Sequence, residues 1–124
     1  MNKKIETFTD LVTWKEAHNL VLKIYNITKI FPSEERYGLT DQIRRAAVSI
    51  TSNIAEGFSR KSILEKRQFY YISLGSLTEL QNQLIIAKDI DYMKINDFNI
   101  ITEQTIIVSK LINSLIKYIN KLNT

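Results

Sequence analysis

The sequence contains no cysteine, one proline, one histidine and three glycines among its 124 residues. Without cysteine the chain can form no disulfide framework, thiolate nucleophile or cysteine-ligated zinc site, and this composition fits a reducing cytoplasm. So few proline and glycine residues, with long intervals between them, favour a few long elements over many short strands. No apolar run approaches the roughly 18 residues of a membrane span, and the first thirty residues lack the apolar core of a secretory signal. The composition therefore predicts a globular, cytoplasmic protein with no membrane partner.

Catalytic chemistry has few residues to draw on. His18 is the only histidine, and helical spacing places it on an apolar stripe, where we expect a partly buried structural side chain. Glu16, a neighbouring carboxylate, is two positions away and points elsewhere around a helix. A di-iron bundle needs two Glu-x-x-His motifs, and the three glycines match neither a phosphate-binding loop nor a dinucleotide fingerprint. We therefore expect no enzymatic activity, no catalytic or metal-binding residue and no cofactor.

Hydrophobic periodicity predicts four helices. Pro32 ends the first helix, because proline disfavours helical geometry in the residue before it. Thr40 is a plausible N-cap for the second helix and Gly57 a plausible residue just beyond its end. Ser62 and Glu65 have capping-box spacing at the start of the third. The four predicted helices cover about residues 11–30, 40–57, 62–88 and 96–122.

Four helices of similar length joined by short connections predict an all-α fold, an antiparallel up-down-up-down four-helix bundle that occupies residues 1–124 as one domain. Helix 1 has two apolar stripes where a bundle helix needs one, and helix 3 adds Tyr70, Leu74 and Ile85 beside its main stripe. This surplus favours self-association through a second contact surface, and the alternative is a wide core within a single bundle.

A polar stripe runs along helix 2 within "QIRRAAVSITSNIAEGFSR", residues 42–60. At about 100° per residue, its polar positions share a narrow sector that adjoins the apolar one. Because buried polar groups need partners, we expect a hydrogen-bonded seam with helix 3, and the other interpretation is a groove for nucleic acid or a ligand. The expected seam residues are Gln42, Arg45, Ser49, Asn53, Glu56, Ser76 and Glu79.

Basic residues are unevenly distributed in a chain of net charge +4. All five arginines lie between Arg36 and Arg67, and after Glu103 the chain has three lysines and no acid. Such asymmetry permits a polyanion partner, through attraction to phosphates and release of counterions, although solubility alone often produces a similar bias. The candidate nucleic-acid contacts are Arg44, Arg60, Lys61, Lys66, Arg67, Lys110, Lys117 and Lys121.

Four stretches resemble the four-helix-bundle proteins called 23S rRNA intervening sequence proteins, or S23 proteins. They are "LVTWKEA" at 11–17, "FPSEERYGLT" at 31–40, the polar-stripe segment at 42–60, and "FYYISLGSLTEL" at 69–80. One departure is Thr51, where many relatives have proline, and which predicts a less bent helix 2. The resemblance implies an antiparallel four-helix bundle, commonly a ring-shaped homopentamer, without enzymatic activity. Related accessory proteins of diversity-generating retroelements are basic pentamers that associate with a reverse transcriptase and nucleic acid.

Two functions follow as expectations. The first is a non-catalytic, oligomeric nucleic-acid-binding accessory protein, with RNA favoured over DNA, which contacts mainly phosphates. The alternative is a protein-interaction scaffold that presents a ring-shaped oligomer to a protein partner. The expected partners are therefore further copies of this chain, together with RNA or DNA, or a second protein.

Overall fold

The computed structural model of the chain describes residues 4–122. Four long helices account for most of them: α1 Val12–Ile27, α2 Leu39–Ser59, α3 Ile63–Asp89 and α4 Ile95–Leu122. Short 3-10 turns lie before α1 and in the connection between α1 and α2, at Phe8–Asp10, Thr28–Ile30 and Ser33–Glu35. No strand occurs within residues 4–122, so the predicted all-α fold is confirmed.

Each helix contacts the next along the chain, and α1 also contacts α4, which closes the bundle. Hydrogen bonds across the α1/α4 boundary show its direction. The Thr13 hydroxyl donates to the carbonyl oxygen of Leu111 at 3.5 Å, and one turn later Gln104 donates to the carbonyl oxygen of Glu16 at 2.9 Å. Because residue numbers rise along α1 as they fall along α4, the two helices are antiparallel. The same order holds for α2 and α3, and the fold is an antiparallel four-helix bundle.

The start of α2 differs from the predicted N-cap. The helix begins at Leu39, whose amide donates to Glu35 Oε1 at 3.0 Å. Thr40 is thus already inside the helix, and its hydroxyl oxygen is buried without a hydrogen-bond partner in the described part of the chain. The physical reason is that a carboxylate on the preceding turn reaches the first free amide, so a threonine cap is unnecessary.

The end of α2 also differs, because Gly57 lies inside the helix and not beyond it. The helix continues to Ser59, and none of the described glycines has a positive φ angle. A Cβ atom at position 57 would lie 2.6 Å from Cε1 of Tyr70. The glycine is therefore required by the close approach of α3 and not by a left-handed helix end. Helix α2 is unbroken at Thr51, whose hydroxyl donates to the carbonyl oxygen of Val48 at 2.8 Å.

The start of α3 follows its sequence pattern. The Ser62 hydroxyl accepts a hydrogen bond from the Glu65 amide at 3.0 Å, as the spacing of these residues predicts.

The core is formed by one face of each helix. On α1, Ala17, Leu20 and Ile24 of one stripe are fully buried, whereas on the other stripe Trp14 is half-buried and Tyr25 is exposed. On α3 the surplus residues separate, because Tyr70 is fully buried whereas Ile85 is exposed. The largest fully buried side chains are Tyr70, Leu20, Ile24, Ile43, Ile50, Ile54, Leu77, Leu80, Leu84 and Ile112. None of the helices within residues 4–122 combines the length and apolar content that crossing a bilayer requires.

A hydrogen bond joins the α1–α2 connection to the α3–α4 connection, which lie at the same end of the bundle. The Tyr92 hydroxyl, from the connection between α3 and α4, donates to Glu35 Oε2 at 2.8 Å. Hydrogen bonds from the Leu39 amide and from Tyr92 lower the pKa of Glu35 below its ordinary value. The same carboxylate therefore begins α2 and holds the two connections together.

Candidate nucleic-acid interface

Three helix ends and the segment before α1 meet at one end of the bundle. Phe58 of α2, Tyr70 of α3 and Ile119 of α4 line the same pocket there, with side chains of the N-terminal segment. Segments 56–67 and 117–122 bring six basic and two acidic residues to this end, and the segment before α1 adds one lysine and two acids. We call these six basic residues the basic end: Arg60, Lys61, Lys66, Arg67, Lys117 and Lys121.

Arg60 and Lys61 lie in the loop that joins α2 to α3. The Arg60 guanidinium lies over the Phe69 ring, 4.7 Å from its centroid, and donates from Nη2 to the Glu56 carboxylate at 3.3 Å. Both partners of this ion pair are exposed, so the pair contributes little to stability. Lys61 is exposed. The loop therefore presents two accessible cations.

Lys66 is held differently from its neighbours. Its ammonium donates to the carbonyl oxygen of Phe58 at 2.7 Å and to that of Gly57 at 3.4 Å, and it lies 5.5 Å from the centroid of the Phe58 ring. Partial burial lowers its pKa. A cation at the last carbonyls of a helix complements the helix dipole, so Lys66 caps α2 and has less freedom to contact a phosphate than Lys61.

The remaining cations lie on α3 and α4. Arg67 is half-buried, and within residues 4–122 its Nε atom is buried without a hydrogen-bond partner. Lys117 and Lys121 are exposed on the last two turns of α4. Lys110 is also exposed. It lies about 10 Å farther from the basic end than Lys117, because seven positions separate them at a rise of about 1.5 Å per residue.

Arg44 lies apart from the basic end. Arg44 and Arg60 are sixteen positions apart, which corresponds to about 24 Å along the axis of α2. Its Nε donates to the Thr28 hydroxyl at 2.9 Å, and its guanidinium lies 4.7 Å from the centroid of the Tyr25 ring. The arginines that form one cluster in the sequence are thus divided between two places, and Arg44 fastens α2 to the end of α1.

Fewer residues of the expected polar seam join α2 to α3 than the sequence pattern predicts. Ser49 and Ser76 join α2 to α3 through a 2.7 Å hydrogen bond between their hydroxyls, and Asn53 donates to the Ser49 hydroxyl at 3.1 Å. Only these three of the seven residues meet. The four others are exposed, and within residues 4–122 none of their side chains is hydrogen-bonded to another helix. The Gln42 side chain has no described hydrogen bond, Arg45 donates to Asp41, Glu56 accepts from Arg60 in the following loop, and Glu79 accepts from Gln83.

Two side chains, Ser73 and Gln104, bond to acceptors on a facing helix that the sequence pattern did not identify, although the pattern offered Ser73 as a possible partner for the polar stripe of helix 2. Ser73, which is fully buried, donates to the Ile50 carbonyl oxygen at 2.9 Å. Gln104 is buried on α4 and donates to both the backbone and the side chain of Glu16. Serine and glutamine at core spacing were the available signal, since a buried polar side chain predicts an acceptor on the facing helix.

The single histidine of the chain does not lie in the core. His18 is exposed and stacks on Trp14 with ring centroids 4.7 Å apart, which corrects the expectation of a partly buried histidine. The cause is that α1 turns its other stripe to the core. Within residues 4–122 no three histidine or carboxylate residues are grouped so that they could hold a metal ion.

Comparison with known proteins places the chain in a family. The family model for 23S rRNA-intervening sequence proteins matches residues 9–114. A solved structure of a protein with unknown function, from the S23 ribosomal protein family of Bacteroides thetaiotaomicron, aligns with a TM-score of 0.79. The two are 22% identical over 86% of this chain and 99% of that chain, a likeness that shows the fold. No curated protein matches the chain significantly. Because the family model covers most of its length, the chain belongs to the family of 23S rRNA-intervening sequence proteins.

Proposed function

We propose that this protein is a non-catalytic, homo-oligomeric accessory protein that binds nucleic acid, with RNA as the preferred partner, through phosphate contacts at the basic end. The observation that carries the proposal is the convergence of basic residues from the α2–α3 loop, α3 and the end of α4. Their accessible members are Arg60, Lys61, Lys117 and Lys121, against two acids in the same segments. Lysine and arginine side chains clustered on one surface are the electrostatic footprint of polyanion binding.

Oligomerisation strengthens the proposal by multiplying this surface. A ring-shaped pentamer, as implied by resemblance to S23 and retroelement accessory proteins, repeats the basic end five times at fixed spacing. Linked sites raise the apparent affinity for a long polymer without any new contact at each site. A surface of modest charge on one chain of net charge +4 then suffices. Because the contacts are to phosphates, we expect little sequence preference.

The test is a salt titration of binding to a structured RNA and to a DNA duplex of equal length. We expect the logarithm of the association constant to fall linearly with the logarithm of the salt concentration, with RNA bound more tightly. Absence of binding at low salt, or binding that does not change with salt, contradicts the proposal.

A pair of double variants locates the contact. Lys61→Ala with Lys117→Ala removes two exposed cations from the basic end, and we expect the salt slope to fall by about one per residue. The matched control is Lys29→Ala with Lys94→Ala, which removes two exposed lysines at the opposite end. An equal loss in both double variants points to non-specific attraction by the net charge and contradicts a defined site.

The alternative is a scaffold that presents the oligomer to a protein partner. Its supporting observation is the apolar surface left exposed on α3, including Tyr71 and Ile72. Under this alternative, replacing Arg60, Lys61 and Arg67 by alanine leaves capture of the partner intact, whereas the proposed function predicts loss of nucleic-acid binding in the same variant.

A further inference from the structure

A pocket of about 210 Å³ lies where the end of α1 and the α1–α2 connection meet the first two turns of α2. It lies at the opposite end of the bundle from the basic end and shares no residue with it. Three of its lining residues are cationic and none is acidic: Lys29, Arg36 and Arg44. Like charges around one pocket repel each other, so an anion bound between them is attracted by all three.

The three cations have donors to spare. Within residues 4–122 none of them is paired with a carboxylate. Lys29 and Arg36 are exposed, and their side chains have no described hydrogen bond. Arg44 is half-buried and donates to the Thr28 hydroxyl and to the carbonyl oxygen of Tyr25. A guanidinium has five N–H donors, so three of those on Arg44 are left for a ligand.

The acids nearest in sequence have other partners. Glu35 begins α2 and accepts a hydrogen bond from the Tyr92 hydroxyl. Glu34 lies on the same side, since the hydrogen bond to Glu35, burial, and the charges of Glu35 and Glu34 together raise the pKa of Tyr92. Asp41 pairs with Arg45 at 2.8 Å. None of these three carboxylates lines the pocket.

Thr40 supplies an observation that is independent of charge. It lines the pocket and is 7% exposed, yet its hydroxyl oxygen has no hydrogen-bond partner in the described part of the chain. A buried hydroxyl without a partner is costly, and native proteins usually satisfy such groups. The backbone amides of Thr40 and Asp41 also have no described acceptor, because the first amides of a helix have no preceding turn to bond to. The start of α2 therefore places unused donors beside the cations, an arrangement that suits an anion.

The charge and the number of donors favour a terminal phosphate over a carboxylate. A terminal phosphate carries a charge of about −1.5 to −2 at neutral pH and three acceptor oxygens, whereas a carboxylate has one charge and two oxygens. The three cations and the hydroxyls of Ser33 and Thr40 exceed what a carboxylate can use. A phosphate inside a nucleic-acid chain has one charge and two neighbouring nucleotides. The pocket is smaller than the roughly 300–1,000 Å³ of sites for drug-sized ligands, so it has room for only a small ligand.

We propose that this pocket binds the terminal phosphate of a small molecule, with the three cations on the phosphate oxygens and the Thr40 hydroxyl as a further donor. Phe31 and Pro32 belong to the same lining and contact the organic part of a phosphate ester. The inference goes beyond the proposed function, because the pocket and the basic end lie at opposite ends of the bundle and neither needs the other.

Arg36→Gln tests the pocket in a calorimetric titration with inorganic phosphate at constant ionic strength. We expect saturable binding by the wild type and a Kd at least about tenfold higher in the variant, which loses hydrogen bonds between charged groups. The matched control is Arg45→Gln, which removes an equally exposed arginine outside the pocket and should bind phosphate as the wild type does. Absence of saturable binding by the wild type, or equal weakening in both variants, overturns the inference. Either result leaves salt-dependent RNA binding at the basic end standing.

Thr40→Val has two expected effects of opposite sign. Without ligand, replacing an unpartnered buried hydroxyl by a methyl group of similar shape is stabilising, so Tm rises by up to about 4 °C. With inorganic phosphate the loss of a donor raises Kd by about fivefold. A variant that is stabilised but binds phosphate as tightly as the wild type overturns the role of Thr40.

Two further titrations identify the source of the phosphate. Tighter binding of glycerol phosphate than of inorganic phosphate identifies an ester as the ligand, and the reverse order identifies the free anion; both results uphold the pocket. RNA without terminal phosphates should leave the binding of inorganic phosphate unchanged. Displacement of inorganic phosphate by this RNA overturns the assignment to a terminal phosphate.

Discussion

The inner and outer faces of α3 contrast within a single helix. On the inner face Tyr70 is 1% exposed and Leu77 is 2% exposed, whereas on the outer face the next residue after Tyr70, Tyr71, is largely exposed. Each face is associated with one glycine. Gly57 of α2 lies against the inner face, where it makes room for the Tyr70 ring, and Gly75 lies on the outer face in open space.

The contrast shows that residue type does not decide the role of a position on α3. Tyrosine, isoleucine, leucine and glycine each occur both in the core between α2 and α3 and on the exposed surface of this helix pair. A step of about 100° around the helix axis is enough to separate a core residue from a surface residue. On the inner face the packing partner is known atom by atom, so substitutions there have definite signs. On the outer face an alanine at position 75 would meet open space, because no described atom lies within 4 Å of its Cβ position.

The largest difference between the faces should come from truncating a leucine. Leu77→Ala removes a fully buried side chain and leaves a cavity, so we expect the free energy of unfolding to fall by about 2–5 kcal/mol. Ile72→Ala on the outer face is the control and should change the stability of the monomer by no more than about 0.5 kcal/mol. Urea unfolding at one low protein concentration measures both. Equal losses remove the distinction between the faces.

The two glycines give the next largest contrast. In Gly57→Ala the new methyl group would lie 2.6 Å from Cε1 of Tyr70, so the helices must separate, at a cost of about 1–3 kcal/mol. Gly75→Ala should instead stabilise the monomer by up to about 1 kcal/mol. Thermal and urea unfolding of both variants give the two signs. A Gly57→Ala variant as stable as the wild type shows that the α2/α3 contact yields easily.

A smaller effect should follow from the hydrogen bond between α3 and α2. Ser73→Ala removes the donor to the Ile50 carbonyl oxygen, and we expect a loss of about 0.5–1.5 kcal/mol. The control is Thr78→Ala on the outer face, where the hydroxyl bonds only to the Leu74 carbonyl oxygen of the same helix. If both variants unfold at the wild-type urea concentration, the hydrogen bond between the helices adds nothing to stability.

Tyr70→Phe should have the smallest effect on stability at neutral pH. At alkaline pH this variant distinguishes the inner face of α3 from its outer face. Burial raises the pKa of Tyr70 from 10.0 to about 12. Since the folded pKa is above the unfolded one, the resulting stability is fully present below pH 10 and is lost as the pH rises through about 12. Urea unfolding from pH 9 to 12 should show a loss that Tyr70→Phe reduces and Tyr71→Phe does not. An unchanged loss in Tyr70→Phe assigns the alkaline instability to another group.

Local patterns were sufficient for much of the fold. The repeat of Leu77, Leu80 and Leu84 predicts the buried face of α3, and all three are buried. Ser62 begins α3 because its hydroxyl and the Glu65 amide are three residues apart on one turn. Both features depend on neighbours along the chain, so helical periodicity and capping rules apply to them directly.

The candidate site was predictable only in part. The sequence pattern identified the cations of the α2–α3 loop and of α4, but it grouped Arg44 with Arg60. It also extended the polar seam to Arg45, which is exposed and pairs with Asp41 on its own helix. The assignment of Gly57 to a helix end failed for the same reason, because the Tyr70 ring comes from another helix. None of these contacts can be recognised from residues that are neighbours in the sequence.

The sequence by itself determined that this protein is helical, where its four helices lie, and which family it resembles. Those properties follow from the period of the apolar residues and from the few prolines and glycines, which act over a few turns of one helix. Only the tertiary structure decided that Gly57 accommodates Tyr70, that Lys66 caps α2, and that cations from separate helices meet at one end. Such contacts depend on the order and crossing of antiparallel helices, which bring together residues that are far apart along the chain.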